Sequence, residues 1–355
     1  MPQVRLPGDV PVVCLEEPID IKTTLGLLAL TTGLWCAGAS AQTMPSPAAA
    51  FDMQSHRGGR GLWPENTLVS FGNAVRLGTT TLEMDAAITA DGVVVISHEP
   101  ALSPAYTRDA TGQFLKERGP LIKELSYAQL QAYDVGRLNP EHKYGLDFAS
   151  QKPADGTRIP SLEAVFKLVK DLGADAVQFA IETKINPSLP DETLEPEPFV
   201  DALLAVIRVH GMVPRVMVQS FDWRTLELLH RKEPGLRTVY LSIESQGIST
   251  LRDGSWSAGH KLADHGGSVP RLVRTSAGQA SGVIWSPFFR DLTPKLLKEA
   301  HALGLKVVPW TVNQVPDMER LISWGVDGLI SDYPDRLRQA MAACGLHLPQ
   351  GAGKP

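Results

Sequence analysis

The feature that most constrains this chain is a rhythm. From His56 to Ala343, short apolar, β-branched runs alternate with amphipathic segments, and the alternation recurs eight times. Val216–Val218, Val307-Val308 and Leu329-Ile330 show no polar alternation, nor does the run around Ile181. Such runs suit strands buried on both faces of a parallel sheet. Strand ends are expected near His56, Asp85, Lys184, Ser220, Ser242, Ser286, Val312 and Ser331. Helices are expected at Glu65–Leu77, Ser161–Leu172, Glu197–His210, Trp223–Lys232, Thr293–Leu303, Val315–Trp324 and Arg336–Ala343. Eight βα units in 355 residues predict an α/β fold, a TIM (β/α)8 barrel. The competing open doubly wound sheet has no Gly-rich dinucleotide turn to support it.

Two stretches break the rhythm. Asp91-Gly92 after Thr89 signals a hairpin, with Val93–Ser97 returning as an extra strand. Residues 99–160 then lose periodicity and read as a small inserted subdomain on a βα loop, where barrels place substrate-covering structure. Ser245–Gly282, rich in Gly and Ser, reads as a second irregular connection.

The amino terminus is a different kind of sequence. No charge occurs from Thr23 to Ala41, Lys22 precedes this stretch, and Ala39-Ser40-Ala41 ends it. Residues 1–41 therefore read as a signal peptide, because the apolar core is short of the ~20 residues needed to span a bilayer. An exported protein, periplasmic or secreted and without a stable membrane span, is expected. Residues 42–52 read as a flexible lead-in, 53–345 as the barrel and 346–355 as a tail. Cleavage removes Cys14 and Cys36 and leaves Cys344 alone, so no internal disulfide can form.

Charge narrows the function classes. Lys and Arg number 34 against 39 Asp and Glu, so no basic excess exists to displace counterions from nucleic acid. A 43% hydrophobic share excludes a disordered chain.

Chemistry-bearing residues concentrate at the expected strand ends. Glu83 and Asp85, two apart on one strand, share a face and present two hard oxygen ligands to one point. Their apolar neighbours Leu82, Met84, Ala86 and Ala87 argue against a solvated edge. Glu182 and Lys184 repeat the spacing on another strand and add a third carboxylate and a cation. His56 and His98 end two strands near these acids, and paired imidazoles can divide proton removal from proton delivery. Gln219, Phe221 and Trp310 close two later strands, where Trp310 can wall a ligand. Asp327 and Asp332 read as turn residues.

Taken in order, His56-Arg57-Gly58, Pro64-Glu65-Asn66-Thr67, Glu83-x-Asp85, the Thr89–Gly92 turn before His98, Glu182-x-Lys184, Gln219-Ser220-Phe221, Trp310-Thr311-Val312-Asn313 and Gly325–Pro334 resemble the glycerophosphodiester phosphodiesterase family over about Gln54 to Leu337. The resemblance implies metal-dependent hydrolysis of small glycerophosphodiesters to glycerol 3-phosphate and an alcohol. One divalent cation, Ca2+ or Mg2+, would be held by Glu83, Asp85 and Glu182, with Glu65 as a further ligand or support. His56 and His98 become the acid/base pair. Arg57 and Lys184 become phosphate contacts, with Gln219, Phe221 and Trp310 also facing substrate. One departure is Glu99, where the family usually has Asp; a longer carboxylate is expected to orient His98 less tightly. Two rival readings share the fold: a phospholipase or sphingomyelinase D-like enzyme on intact lipids, and a non-catalytic ligand-binding surface protein. The first needs an exposed apolar rim, expected in the insertion at Phe114, Leu115, Leu121 and Ile122.

Overall fold

The computed structural model describes residues 50–245 and 247–352. The expected leader, residues 1–41, lies outside them. Among the described residues there are nine strands: β1 (Asp52–Ser55), β2 (Thr81–Ile88), β3 (Val94–Ile96), β4 (Gln178–Thr183), β5 (Val216–Ser220), β6 (Arg237–Ser242), β7 (Val283–Pro287), β8 (Lys306-Val307) and β9 (Gly328–Ser331). The helices are α1 (Leu68–Leu77), α2 (Tyr127–Leu130), α3 (Lys143–Asp147), α4 (Leu162–Asp171), α5 (Pro196–Val209), α6 (Trp223–Lys232), α7 (Val269–Ala277), α8 (Pro294–Ala302), α9 (Val315–Trp324) and α10 (Pro334–Ala343).

Eight strands run parallel in the order β8-β7-β6-β5-β4-β2-β1-β9. The ends of this order meet through main-chain hydrogen bonds: Asp327 N–H to Val307 O (2.9 Å), Ile330 N–H to Pro309 O (3.1 Å) and Val312 N–H to Ile330 O (2.9 Å). The sheet is thereby closed into a TIM barrel, with β3 paired to β2 outside the cycle.

Two apolar layers follow from strand alternation. Ala180, Met217, Val239, Ile284, Val308 and Ile330 make one cluster, on the face that also carries Glu83, Glu182 and Gln219. The opposite faces pack against the helices through a larger core that includes Phe71, Phe166, Phe179, Trp223 and Trp285. Each fully buried aliphatic or Phe side chain there contributes roughly 1.5–3 kcal/mol. Truncating Phe166 or Phe179, which meet edge to face at 4.9 Å, is therefore among the most disruptive changes available.

Four expectations need correction. β2 runs three residues past Asp85, because Ala86–Ile88 pairs with antiparallel β3. Regular β8 ends at Val307 because Pro309 has no N–H to offer β9, although Trp310 N–H to Pro287 O (3.0 Å) and Val312 N–H to Ile330 O (2.9 Å) carry isolated pairing on to the expected end. α1 starts at Leu68, since Asn66 takes a left-handed conformation (φ 56°) and Thr67 caps the helix in a reciprocal box with Ser70. The stretch Ser245–Gly282 contains α7, capped by Ser268 and burying Val269, Leu272, Val273 and Ala277.

The insertion has a small core of its own: Leu102, Ile122, Leu130, Val135 and Ile159, completed by Ala87 and Val95 from the β2–β3 hairpin. Because two of these side chains belong to the barrel, the insertion is a graft on the barrel rather than a self-sufficient core. Ile122, expected at an apolar rim, is instead buried within it. At the carboxyl end, Leu346, Leu348 and Ala352 pack against the barrel core. Among the described residues no helix is long and apolar enough to cross a membrane.

Candidate active site

Strand register assembles the site. Asp85 pairs with Glu182 and Glu182 with Gln219, so three consecutive strands set these residues side by side at the carboxyl ends. Glu83, one inward-facing position lower, completes the group. Ligand oxygens of Glu83, Asp85 and Glu182 all lie within 4.8 Å of one another, and all three residues are buried.

Such a cluster is costly as it stands. Burial and the neighbouring Asp85 push the Glu83 carboxyl well above the usual range. Burial also carries Glu182 up to about 7, against the pull of Lys184. Burial alone would raise Asp85 too, but Arg57, His98 and Lys184 more than offset it and hold its carboxyl low. Asp85 Oδ1 is buried and has no hydrogen-bond partner. Convergent carboxylates, one of whose oxygens has no hydrogen bond and only the Lys184 ammonium at 3.9 Å, fit a hard divalent cation.

The surrounding side chains fix these acids. After β1 the chain turns tightly through His56–Gly58, with Arg57 held in a left-handed conformation (φ 51°). This turn aims the Arg57 N–H at Glu83 Oε2 (2.7 Å). Gly58 permits it, because a Cβ there would lie 2.5 Å from Ser70 Oγ. The Arg57 guanidinium donates to Glu65 Oε1 (2.7 Å) and lies 3.3 Å from Asp85 Oδ2. Glu65, expected as a ligand or support, thus braces Arg57; it also accepts from the Tyr144 hydroxyl of the insertion. Asn66 Nδ2 donates to Asp85 Oδ2 (2.9 Å). Gln219, expected to face substrate, spends its amide N–H on Glu83 Oε1 (2.7 Å).

Two histidines flank the acids, each with a carboxylate behind it. His56 Nδ1 lies 2.6 Å from Asp332 Oδ1, and His98 Nδ1 lies 2.7 Å from Glu99 Oε1. Each carboxylate fixes its ring with Nδ1 as donor, so Nε2 faces the acids. His56 Nε2 is 3.9 Å from Glu83 Oε2, and His98 Nε2 accepts from Lys184 Nζ at 3.0 Å. Lys184 Nζ also donates to Glu182 Oε1 (2.9 Å). The longer arm of Glu99 does not loosen its hydrogen bond.

Asp332, read from sequence as a turn residue, is therefore part of the site. Arg60 Nε donates to Asp332 Oδ1 (2.6 Å) and Asn313 Nδ2 to Asp332 Oδ2 (2.7 Å). Burial would raise this carboxyl, but Arg60 and His56 hold it far below the ordinary Asp range. The signal was topological: in a closed barrel the last strand pairs with the first, and Ser55 pairs with Ser331. The residues that follow are His56 and Asp332.

His56, Arg57, Arg60, Glu83, His98, Glu182, Lys184, Gln219, Phe221 and Trp310 line one polar cavity of about 120 Å³. Phe221 meets Trp310 edge to face at 5.3 Å and forms its apolar wall. Asp85 and Glu65 sit behind this first layer. A pocket lined by two oriented imidazoles, three cationic side chains and two carboxylates of the acidic triad can bind a phosphoryl group and move protons on either side of it.

Comparison with known proteins agrees. Residues 56–336 match the model of the glycerophosphoryl diester phosphodiesterase family. A glycerophosphodiester phosphodiesterase of Caldanaerobacter subterraneus is 27% identical over 283 residues, 80% of this chain and 94% of the relative. A crystal structure from Silicibacter pomeroyi that carries the family name is 35% identical, covers 84% of this chain and 95% of its own, and superposes with a TM-score of 0.73. An Oleispira antarctica phosphodiesterase solved with the product sn-glycerol-3-phosphate shares the fold at 21% identity and a TM-score of 0.56, over 82% of this chain and 96% of its own.

Proposed function

Because the chain belongs to the glycerophosphoryl diester phosphodiesterase family, we propose that it hydrolyses glycerophosphodiesters to glycerol 3-phosphate and an alcohol, assisted by one divalent cation, Ca2+ or Mg2+. It is an enzyme, a phosphoric diester hydrolase. The observation that carries the finer reading is the convergence of both carboxylate-backed histidines on the cavity floored by the acidic triad.

Glu83, Asp85 and Glu182 would hold the cation, which when bound supplies positive charge against phosphoryl oxygens. Lys184, and Arg57 through its cavity-facing edge, add to that charge. One imidazole takes a proton from the attacking oxygen, water or the substrate's own glycerol hydroxyl, and the other gives a proton to the departing alcohol. Phe221 and Trp310 exclude water from one side. The rival reading as a non-catalytic binder has no use for two oriented rings beside a buried acidic cluster.

The deciding experiment is turnover of glycerophosphocholine before and after chelation. Activity lost on chelation and restored by Ca2+ or Mg2+ is expected. Full activity after exhaustive chelation, or cation binding unchanged by calorimetry in Glu83→Ala, would remove the metal role. The protein is further proposed to work outside the cytoplasm, freed of residues 1–41. Mass spectrometry on protein from the native host should find a chain that starts at Gln42, and an intact segment 22–41 would refute it.

A further inference from the structure

The insertion reaches the support behind His56. Just after α3, Gln151 Nε2 donates to Arg60 O (2.7 Å) and Lys152 N–H to Leu62 O (2.9 Å), which fastens this part of the insertion to the turn that follows β1. His142 caps α3 by accepting from Tyr144 N–H at Nδ1 (3.2 Å). Tyr144 and Phe148, four residues apart, then fall on one side, where their rings meet edge to face at 5.2 Å.

Both rings border Arg60, whose Cζ lies 4.9 Å from the centre of Phe148 and 5.8 Å from that of Tyr144. Arg60 Nη1 also donates to the Tyr144 hydroxyl oxygen (3.1 Å). That grip answers an electrostatic problem, because burial and the neighbouring Arg57 both oppose the positive charge on Arg60. A long side chain under such repulsion relaxes toward solvent unless it is held. Here an aromatic face attracts the guanidinium and a hydroxyl takes one of its N–H groups. Arg60 Nε is thereby aimed at Asp332 Oδ1 (2.6 Å), the same oxygen that holds His56 Nδ1.

Tyr144 also closes a circuit. Its hydroxyl accepts from Arg60 and donates its one proton to Glu65, whose other oxygen accepts from Arg57 (2.7 Å). Hydrogen bonds therefore lead from His56 through Asp332, Arg60, Tyr144 and Glu65 to Arg57, the next residue in the chain. Five of these six residues belong to the barrel, and Tyr144 belongs to the insertion. Neither Tyr144 nor Phe148 lines the polar cavity, so any influence on turnover has to pass through Arg60.

We propose that Tyr144 and Phe148 are positioning residues for proton transfer by His56, acting through Arg60 and Asp332, so that the insertion completes the hydrolytic machinery rather than only covering it. This rests on the hydrolytic reading above.

The test uses the full chain supplied with divalent cation and has a kinetic arm and a spectroscopic arm. Tyr144→Phe removes one oxygen and keeps the ring, while Phe148→Leu keeps apolar bulk and removes the aromatic face. Each should lower kcat on glycerophosphocholine by about 10-fold to 100-fold, as small misplacements of a reacting group do, with KM held within about twofold. Phe148→Tyr, which keeps the aromatic face, should turn over at close to the normal rate. Added to Asp332→Asn, Tyr144→Phe should cost less than about threefold more, whereas added to Glu99→Gln its loss should multiply in full. A raised KM at unchanged kcat, or a loss that multiplies in full with Asp332→Asn, overturns the proposal.

The second arm follows by NMR the His56 ring proton that is hydrogen-bonded to Asp332, identified by its absence in His56→Ala. Its signal should be sharp in the wild type and broadened or lost in Tyr144→Phe. A sharp signal in both, with normal glycerophosphocholine turnover by Tyr144→Phe, overturns the positioning role and leaves hydrolysis standing. A wild type that turns over no diester, yet loses the signal in Tyr144→Phe, upholds the link from Tyr144 to His56 and overturns hydrolysis.

Discussion

Two histidine–carboxylate pairs face each other across this site, alike in length and unlike in everything behind them. Asp332 is 1% exposed and is gripped by Arg60 and Asn313, whereas the Glu99 side chain is 49% exposed and holds His98 from the solvent side. The difference extends to the ring nitrogen that does the work. His98 Nε2 looks at the Lys184 ammonium, which opposes a second positive charge there; burial, Arg57 and Lys184 together lower this ring to about 4. His56 Nε2 looks toward the Glu83 carboxylate, although burial and Arg60 still keep the ring below its ordinary value. Equal hydrogen-bond lengths therefore do not mean equal roles. The first pair is locked in place while the second is open to solvent, and we propose that the first delivers the proton to the departing alcohol and the second receives one.

The strongest test of this contrast removes each ring. His56→Ala and His98→Ala should each lower glycerophosphocholine turnover by about 10²–10⁴. An activated p-nitrophenyl ester, whose leaving group needs little protonation, should recover most of the loss in His56→Ala and little in His98→Ala. The opposite pattern would exchange the roles, and near-normal turnover of glycerophosphocholine by either variant would end the two-ring scheme. Next in size is Asp332→Asn, which leaves Arg60 without its charge partner and frees the ring. A rate loss of at least about 100-fold is expected, with a stability loss of about 3 kcal/mol in thermal unfolding. Glu99→Gln should be far milder, because an exposed pair is worth about 0.2–1 kcal/mol and so at most about fivefold in rate. Glu99→Asp should then be close to wild type. If Glu99→Gln cost as much as Asp332→Asn, burial would not be what separates the two pairs.

The smallest effect is in acid. Asp332 titrates lower in the folded than in the unfolded chain, so its contribution to stability is present above about pH 4 and is lost as pH falls below it. Denaturant titrations from pH 6 downward should show a shallower acid limb in Asp332→Asn than in the wild type. His98 holds the Glu99 carboxyl near 2, but solvent screens that pair, and Glu99→Gln should flatten the limb less.

These two pairs also mark what could be read from the chain alone. The barrel was legible because strands covered on both faces lose polar alternation, leaving runs such as Val216–Val218 that little else explains. The acidic triad was legible because residues two apart on a strand must share a face. Glu99 could be flagged because it adjoins His98. Asp332 could not be read locally, since an Asp before Tyr333-Pro334 has an ordinary explanation as a turn residue; only the pairing of last strand with first reveals it. Spacing likewise placed Glu65 and Gln219 near the site but not their partners, Arg57 and Glu83. Helix α7 was hidden because its five buried positions sit within a Gly- and Ser-rich stretch. The apolar rim was expected in the insertion because that segment carries visible hydrophobic residues, yet Ile122 is consumed by the insertion's own core.

Barrel closure has a consequence for how the enzyme comes to be active. His98 and Glu99 are neighbours in the chain and can meet as soon as their turn forms. His56 and Asp332 are 276 residues apart and meet only when the last strand docks against the first. Contacts of such separation carry the largest loop-closure cost and form late. A nascent or partly folded chain can hold one half of its proton-transfer machinery and still be inert. Hydrolysis begins only once synthesis and folding have both reached the carboxyl end, so the onset of turnover during refolding is a clock for the final step of assembly.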